Sequence, residues 1–103
     1  MDRDATPGDD TLRAHWAHAQ QVFDEDLRRR AVAEKTRRAY EGDVTRFAEW
    51  STSRGLAPAA IGVRDLRRYA ASLSQRGLRP TTLARAIASL RAFYGALRQR
   101  GAP

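Results

Sequence analysis

The sequence of 103 residues contains no cysteine. This absence excludes disulfide bridges, thiolate zinc sites and thiol nucleophiles, and it fits a cytoplasmic protein. No run of about 18 apolar residues occurs, so no segment is expected to span a membrane. The acidic start MDRDATPGDD also lacks the apolar stretch of a secretory signal. We therefore expect a small soluble domain without redox chemistry.

Side chains that carry out catalysis or bind metals are scarce as well. The only histidines are His15 and His18, and a shared metal site would need further ligands, so no cofactor is expected. Five carboxylates follow residue 27: Glu34, Glu41, Asp43, Glu49 and Asp65. No acid–base pair, Ser–His–Asp set or glycine-rich phosphate loop can be assembled from these residues. We expect no catalysis by this chain alone.

The net charge of +7 is distributed unevenly along the chain. Residues 1–27 hold seven acids and two arginines, for a net charge of −5, whereas residues 28–103 hold 17 basic and five acidic residues, for a net charge of +12. A basic body of this kind attracts nucleic acid or anionic lipid. A solvated arginine-rich surface is the alternative, because Lys35 is the only lysine.

Apolar spacing of three and four residues predicts an all-α bundle of four helices and no strand. Gly55, Gly77 and Gly101 are natural helix stops, and Pro80 suits a first helical turn. The predicted helices cover about Leu12–Arg30, Lys35–Arg54, Val63–Arg76 and Pro80–Arg100. Residues 1–11 are predicted to form a disordered acidic tail, and residues 12–103 a single domain. On the fourth helix the predicted core stripe is Leu83, Ile87, Leu90, Tyr94 and Leu97.

The second and fourth helices both begin with hydroxyl and basic residues. Free N–H groups and the positive end of the helix dipole make such a start suited to phosphate. The residues concerned are Lys35, Thr36, Arg37 and Arg38 on the second helix, and Arg79, Thr81 and Thr82 on the fourth. Taken singly, the threonines could simply cap their helices. Two such starts in one basic bundle favour DNA.

The faces opposite the core stripes carry further candidates. On the fourth helix these are Arg85 and Ser89, whose side chains are of the type that reads base edges. Gly42 lies on the outward face of the second helix and costs about 1 kcal/mol in a helix interior. A close approach of the backbone to another helix or to DNA would explain it. Asp43, beside the core stripe, is expected to bond a neighbouring group such as the hydroxyl of Tyr40 or Tyr69.

The order Thr36–x3–Tyr40–x2–Asp43–Val44–x2–Phe47–x2–Trp50 resembles the second helix of the N-terminal core-binding domain of tyrosine recombinases, the phage integrases and Xer-type recombinases. The segments VRDLRRYAASLSQRGL and RPTTLARAIASLRAFYGALRQRG continue the resemblance, which covers about residues 20–103. It implies a SAM-like, orthogonal four-helix bundle that clamps one face of the DNA at a recombination half-site through its second and fourth helices.

Carried over by position, the resemblance implies DNA contacts at Thr36, Arg38 and Thr45 and at Thr81, Thr82, Arg85 and Ser89. It assigns Thr36 and Thr82 to phosphates, Arg38 and Arg85 to bases, and makes Gly42 a site where the helix enters the groove deeply. Its other implied partners are a downstream catalytic domain and further recombinase protomers. The catalytic residues of the family belong to that second domain, so an excised domain is expected rather than a chain that never had one. A helical protein-interaction module and a transcriptional regulator stay open as alternatives.

Overall fold

A computed structural model of the chain describes residues 8–101, which contain four α-helices and no strand. The helices are α1 (Asp9–Arg29), α2 (Glu34–Thr52), α3 (Val63–Gln75) and α4 (Pro80–Gln99), with a short 3₁₀ turn at Pro58–Ala60. The predicted all-helical bundle is therefore confirmed. Helix α1 begins three residues before its predicted start, so residues 9–11 of the predicted tail are helical; residues 1–7 lie outside the described residues.

Helix boundaries follow local chemistry. Asp9 and Asp10 lie in the first turn of α1 and Arg28 and Arg29 in its last turn, where each sign of charge meets the favourable end of the helix dipole. Gly55, Gly77 and Gly101 follow α2, α3 and α4 with φ of 72°, 74° and 72°, a region that only glycine adopts at little cost. After α1 the same role falls to Ala31, with φ of 57°.

Aromatic rings join all four helices into one core. The Trp16 ring of α1 stacks on Phe93 of α4, with centroids 5.9 Å apart, and meets Phe47 of α2 edge-on at 5.6 Å. Phe47 in turn contacts Tyr69 of α3 at 4.8 Å. The 53–62 connection is held on this core because the indole N–H of Trp16 donates to Leu56 O at 2.9 Å and the Tyr94 hydroxyl donates to Pro58 O at 3.0 Å.

The buried face of α4 differs from the predicted stripe. Leu90 and Leu97 are buried as expected, but Leu83, Ile87 and Tyr94 are only partly buried. The fully buried positions also include Ala86, Ser89, Phe93 and Ala96. Helix α4 packs against α1 and α2 as well as α3, so a wider arc of its surface is covered than one apolar stripe indicates. Small residues on that arc let the neighbouring helices approach.

Candidate nucleic-acid interface

The first turn of α2 presents two of the predicted residues to solvent. Lys35 and Thr36 are exposed, and the first bond of the helix runs from Arg37 N to Ala33 O at 2.8 Å. The N–H groups of the residues before Arg37 therefore have no partner within the helix. No side chain caps this end. The turn is thus an exposed, positively polarised surface.

Arg38 lies on the same end of α2, with 75% of its side chain exposed, and it pairs with Glu34. Its Nη2 lies 2.6 Å from the Glu34 carboxylate, one helical turn earlier. An ion pair this exposed contributes little to stability and is screened by salt. The guanidinium can therefore exchange Glu34 for a phosphate or a base at small cost.

Arg37 points away from this surface, and the prediction that it lies with the exposed cations is wrong. Its side chain is only 14% exposed, and its Nη1 lies 3.4 Å from Asp24 of α1 and 3.8 Å from Glu41. Burial and the neighbouring Asp24 carboxylate raise the pKa of Glu41 to about 7. A hydrogen bond from the Glu41 carboxyl lowers the pKa of Asp24. Arg37 is a bridge between α1 and α2.

Thr45 is exposed on α2, about two and a half turns beyond Thr36. Its hydroxyl oxygen accepts a hydrogen bond from Gln20 Nε2 of α1 at 3.0 Å. The hydroxyl hydrogen remains available as a donor. Thr45 therefore stands at the edge where α1 borders the outer surface of α2.

The first turn of α4 resembles that of α2. Arg79 and Thr81 are exposed and Thr82 is partly buried, while Pro80 occupies the position where no N–H is needed. The first bond of the helix runs from Leu83 N to Arg79 O at 2.9 Å, so the N–H groups of the two threonines have no partner within the helix.

Ser89 and Arg85 depart from the predicted outward face. Ser89 is fully buried, and its hydroxyl donates to Asp43 Oδ2 of α2 at 2.7 Å, so its prediction as a base-reading side chain is wrong. The reason is the wide buried arc of α4, which places Ser89 against α2. Arg85 also bonds Asp43, through Nε at 2.9 Å and Nη2 at 2.8 Å, but 40% of its side chain stays exposed.

Asp43 thus bonds cations rather than the tyrosine hydroxyls expected from the sequence. Its Oδ1 also accepts from Arg46 Nη2 at 2.8 Å, and the Arg46 side chain is 54% exposed. Burial would raise the pKa of Asp43, but the hydrogen bonds from Arg85, Ser89 and Arg46 outweigh it and hold that pKa below its usual value. The carboxylate is therefore charged at neutral pH and ties the N-terminal halves of α2 and α4 together.

Cations and carboxylates are distributed differently over the bundle. Most carboxylates of α1 and α2 are paired with arginine. Among residues 8–101, by contrast, no carboxylate lies within 4 Å of several exposed arginines of α3 and α4 or the turn between them, which are Arg64, Arg67, Arg68, Arg76, Arg79, Arg91 and Arg98. The positive potential therefore arises mainly on the side of α3 and α4.

Gly42 lies in the middle of α2, one helical turn before Arg46. A Cβ atom at this position would meet only the Arg46 guanidinium, at 3.6 and 3.8 Å, and no other helix. Packing within the described chain therefore does not require glycine here.

Residues 21–101 match the family model described as phage integrase, N-terminal SAM-like domain. The chain belongs to this family. The match covers all of α2, α3 and α4 and the C-terminal part of α1. It agrees with the resemblance drawn from Thr36 to Trp50, and the helical fold of the SAM-like domain is the one described above.

Two curated relatives of this SAM-like domain are tyrosine recombinases. It is 36% identical over 66 residues to "Tyrosine recombinase XerD" of Bifidobacterium longum (strain NCC 2705), covering 63% of this chain and 21% of that protein. It is 33% identical over 79 residues to "Tyrosine recombinase XerC" of Chlorobaculum tepidum, covering 70% of this chain and 24% of that protein. The chain thus spans about a fifth to a quarter of the relatives it matches. No solved structure matches it.

Within residues 8–101, no three histidine, aspartate or glutamate side chains are grouped so that they could hold a metal ion. In the same part of the chain, no helix combines the length and the apolar character needed to cross a bilayer.

The main feature that sequence reasoning missed is the cluster around Asp43. The sequence signal for it was present, since Asp43 and Arg46 lie three apart on α2, and Arg85 and Ser89 four apart on α4. The pairing of the two helices could not be known from either segment alone.

Proposed function

We propose that this SAM-like domain is the DNA-binding lobe of a tyrosine recombinase and contacts duplex DNA through α2 and α4. The observation that carries the proposal is that two exposed, basic helix starts lie on helices joined at Asp43 and Arg85. The residues proposed to meet DNA are Lys35, Thr36, Arg38, Thr45, Arg79, Thr81, Thr82 and Arg85. Arg37 and Ser89 are left out because their polar groups are engaged inside the bundle.

Roles within this set follow from chemistry. Thr36 and Thr82, beside free N–H groups, would hold phosphates and fix the register of the domain on the duplex. Arg38 and Arg85 would reach base edges, since a guanidinium matches the acceptors of guanine. Lys35 and Arg79 would add long-range attraction, which weakens with salt.

Strand cleavage lies outside this proposal. The relatives are named recombinases, and the match covers only about a fifth to a quarter of their length. We propose that the domain works beside a catalytic domain located elsewhere in a full-length recombinase, and that several protomers assemble on recombination sites. The domain alone would bind DNA without cutting it.

A protein-contact role is supported by a separate feature. A groove between α3 and α4 is lined by apolar side chains that include Ile61, Leu66 and Ile87, and by Val63, which is 63% exposed. This surface suits a contact with another protein or domain. A helix-turn-helix regulator is less favoured. The helices joined by the short turn at Gly77, α3 and α4, have 13 and 20 residues and are longer than that motif needs, and α2 and α3 are separated by residues 53–62.

The decisive experiment is titration of a labelled random-sequence duplex at several salt concentrations. We expect log K to fall linearly with log salt, and each of Arg38→Ala and Arg85→Ala to weaken binding about three- to tenfold and to lower the slope by about one. Arg98→Ala removes the same charge from the far end of α4 and should cost about twofold or less. If the wild-type domain does not bind duplex DNA even at low salt, the DNA-binding proposal fails and the protein-contact role replaces it.

A further inference from the structure

The carboxylate of Asp43 is fully used by its neighbours. Each of its oxygens accepts two hydrogen bonds: Oδ1 from Arg46 and Arg85, and Oδ2 from Arg85 and Ser89, at distances of 2.7 to 2.9 Å. A carboxylate offers about four such positions, so none is left over for an outside ligand. Asp43 is also buried. It therefore does not contact DNA itself.

The guanidinium of Arg85 is only half used. A guanidinium carries five N–H donors, and Asp43 binds the edge formed by Nε and Nη2. The opposite edge, formed by Nη1 and the second hydrogen of Nη2, is not bonded to Asp43. Since 40% of the Arg85 side chain is exposed and Asp43 covers the first edge, we expect the second edge to face solvent. Two parallel donors are the arrangement that pairs with guanine or with a phosphate.

Holding one edge fixes the direction of the other. A free arginine side chain loses rotamer freedom when a ligand immobilises it, and this loss weakens binding. In this fold the planar two-bond contact with Asp43 orders the guanidinium before any ligand arrives. The cluster still carries a net positive charge, because one carboxylate faces the two guanidinium groups of Arg46 and Arg85.

We propose that Asp43 is a positioning residue for DNA binding: it holds Arg85 by one edge so that the other edge meets the duplex in a fixed orientation. Ser89 supports the carboxylate from the buried side, and Arg46 supports it from α2. The inference rests on the proposed function, since it names how one residue of that interface is oriented.

The Asp43→Asn variant separates positioning from simple charge. Removing a negative charge beside a polyanion should by itself strengthen DNA binding and steepen its salt dependence. Loss of positioning should do the opposite and weaken binding of the random-sequence duplex about three- to tenfold. A rise in affinity, with the fold intact by circular dichroism, would overturn the proposal.

A double-mutant cycle then tests whether Asp43 acts through Arg85. In the Arg85→Ala background, Asp43→Asn should no longer weaken binding, because there is no guanidinium left to orient. Equal losses in both backgrounds would show that Asp43 only maintains the bundle. Thermal unfolding of all four proteins measures the structural contribution separately.

Ser89→Ala keeps the proposal testable if Asp43→Asn does not fold. It leaves the net charge unchanged and removes one donor from Oδ2, so we expect about twofold weaker binding that disappears in the Arg85→Ala background. A loss that persists without Arg85 counts against positioning. Failure of the wild type to bind would overturn both the proposed function and this inference, whereas normal wild-type binding with unchanged Asp43 and Ser89 variants would overturn the inference alone.

Discussion

Glu41 lies on the side of α2 that faces α1, where its carboxyl group meets Asp24 and Arg37. Oε2 is buried and has no hydrogen-bond partner among the described residues. Burial and the adjacent Asp24 charge both favour the protonated form, which can donate a hydrogen bond to Asp24. This explains the pKa of about 7, against a reference value of 4.5.

The first prediction concerns the pH dependence of stability. Between about pH 4.5 and pH 7 the folded state retains a proton on Glu41 that the unfolded state has released, so the free energy of unfolding should fall as the pH rises through this range. Urea denaturation should show a decrease of about 1–2 kcal/mol from about pH 5 to about pH 8. Glu41→Gln should remove most of this decrease.

Glu49→Gln is the matched control, because it neutralises an exposed carboxylate on the same helix. It should leave the wild-type pH profile in place. A Glu41→Gln profile as steep as that of the wild type would contradict the assignment. Asp43 does not interfere, since its lowered pKa places the loss of its stabilisation below about pH 4.

At the scale of single helices, α2 combines a good apolar stripe with one poor helix former. Val44 and Phe47 are fully buried, whereas Gly42 occupies the middle of the helix, where a Cβ atom would meet only the Arg46 guanidinium. A glycine in a helix interior lowers the stability of the fold relative to alanine, and no packing contact of the described residues requires glycine here. Its benefit should therefore lie outside the described chain.

The second prediction is that Gly42→Ala separates stability from binding. The added methyl group should raise the free energy of unfolding by up to about 1 kcal/mol. If DNA approaches the backbone there, the same methyl group should weaken duplex binding severalfold. Gly95→Ala in α4 is the control, since its Cβ would meet only Arg98 at 4.0 Å and it should add stability without changing affinity. Equal affinities for both variants would exclude a close approach at Gly42.

Helix type and number followed from the sequence because spacing, glycine stops and Pro80 all act locally. The three glycines that follow helices adopt the expected left-handed conformation, and Asp65 accepts the Gly62 N–H at 2.9 Å at the start of α3. What the sequence could not give is how far α4 is covered by its neighbours. Ser89 was misplaced for that reason, since a polar residue on an assumed outer face is in fact bonded across the α2–α4 contact.

Arg37 illustrates the same limit at the candidate site. It stands beside Lys35 and Arg38 in the sequence and shares their charge, but one step of 100° around the helix turns it toward Asp24 of α1. Thr36 and Thr81 are exposed because no other helix covers the first turns of α2 and α4. The positions of Arg37 and Ser89 depend on partners from other helices, Asp24 and Asp43, which their own segments do not reveal.

For the whole molecule, Phe93 is the ring that links the first helix to the last. It is fully buried and contacts Trp16 and Phe23 of α1, the latter edge-on at 5.5 Å. Glu25 and Arg100 pair at 3.0 Å near the ends of the same two helices. The contact between α1 and α4 therefore closes the bundle, with the aromatic core carrying most of the energy and the exposed ion pair little.

The third prediction is that Phe93→Ala destabilises the bundle by about 3–5 kcal/mol, which is a large share of the total for a domain of this size. Val63→Ala, at an exposed apolar position, should change stability by less than about 0.5 kcal/mol. Both values come from urea denaturation followed by circular dichroism. A much smaller loss in the free energy of unfolding for Phe93→Ala would contradict this prediction and would mean that the core can collapse around the missing ring.

The exposed first turn of α2 has a practical consequence, because it holds the sole lysine of the chain. Within residues 1–103, Lys35 carries the only side-chain amine that an amine-reactive reagent can modify. Bound duplex should slow acylation of Lys35, read by mass spectrometry, while the rate at the α-amino group serves as an internal reference. Unaltered labelling of Lys35 at saturating DNA would place the duplex elsewhere. One chemical footprint thus reports occupancy of the surface without any substitution.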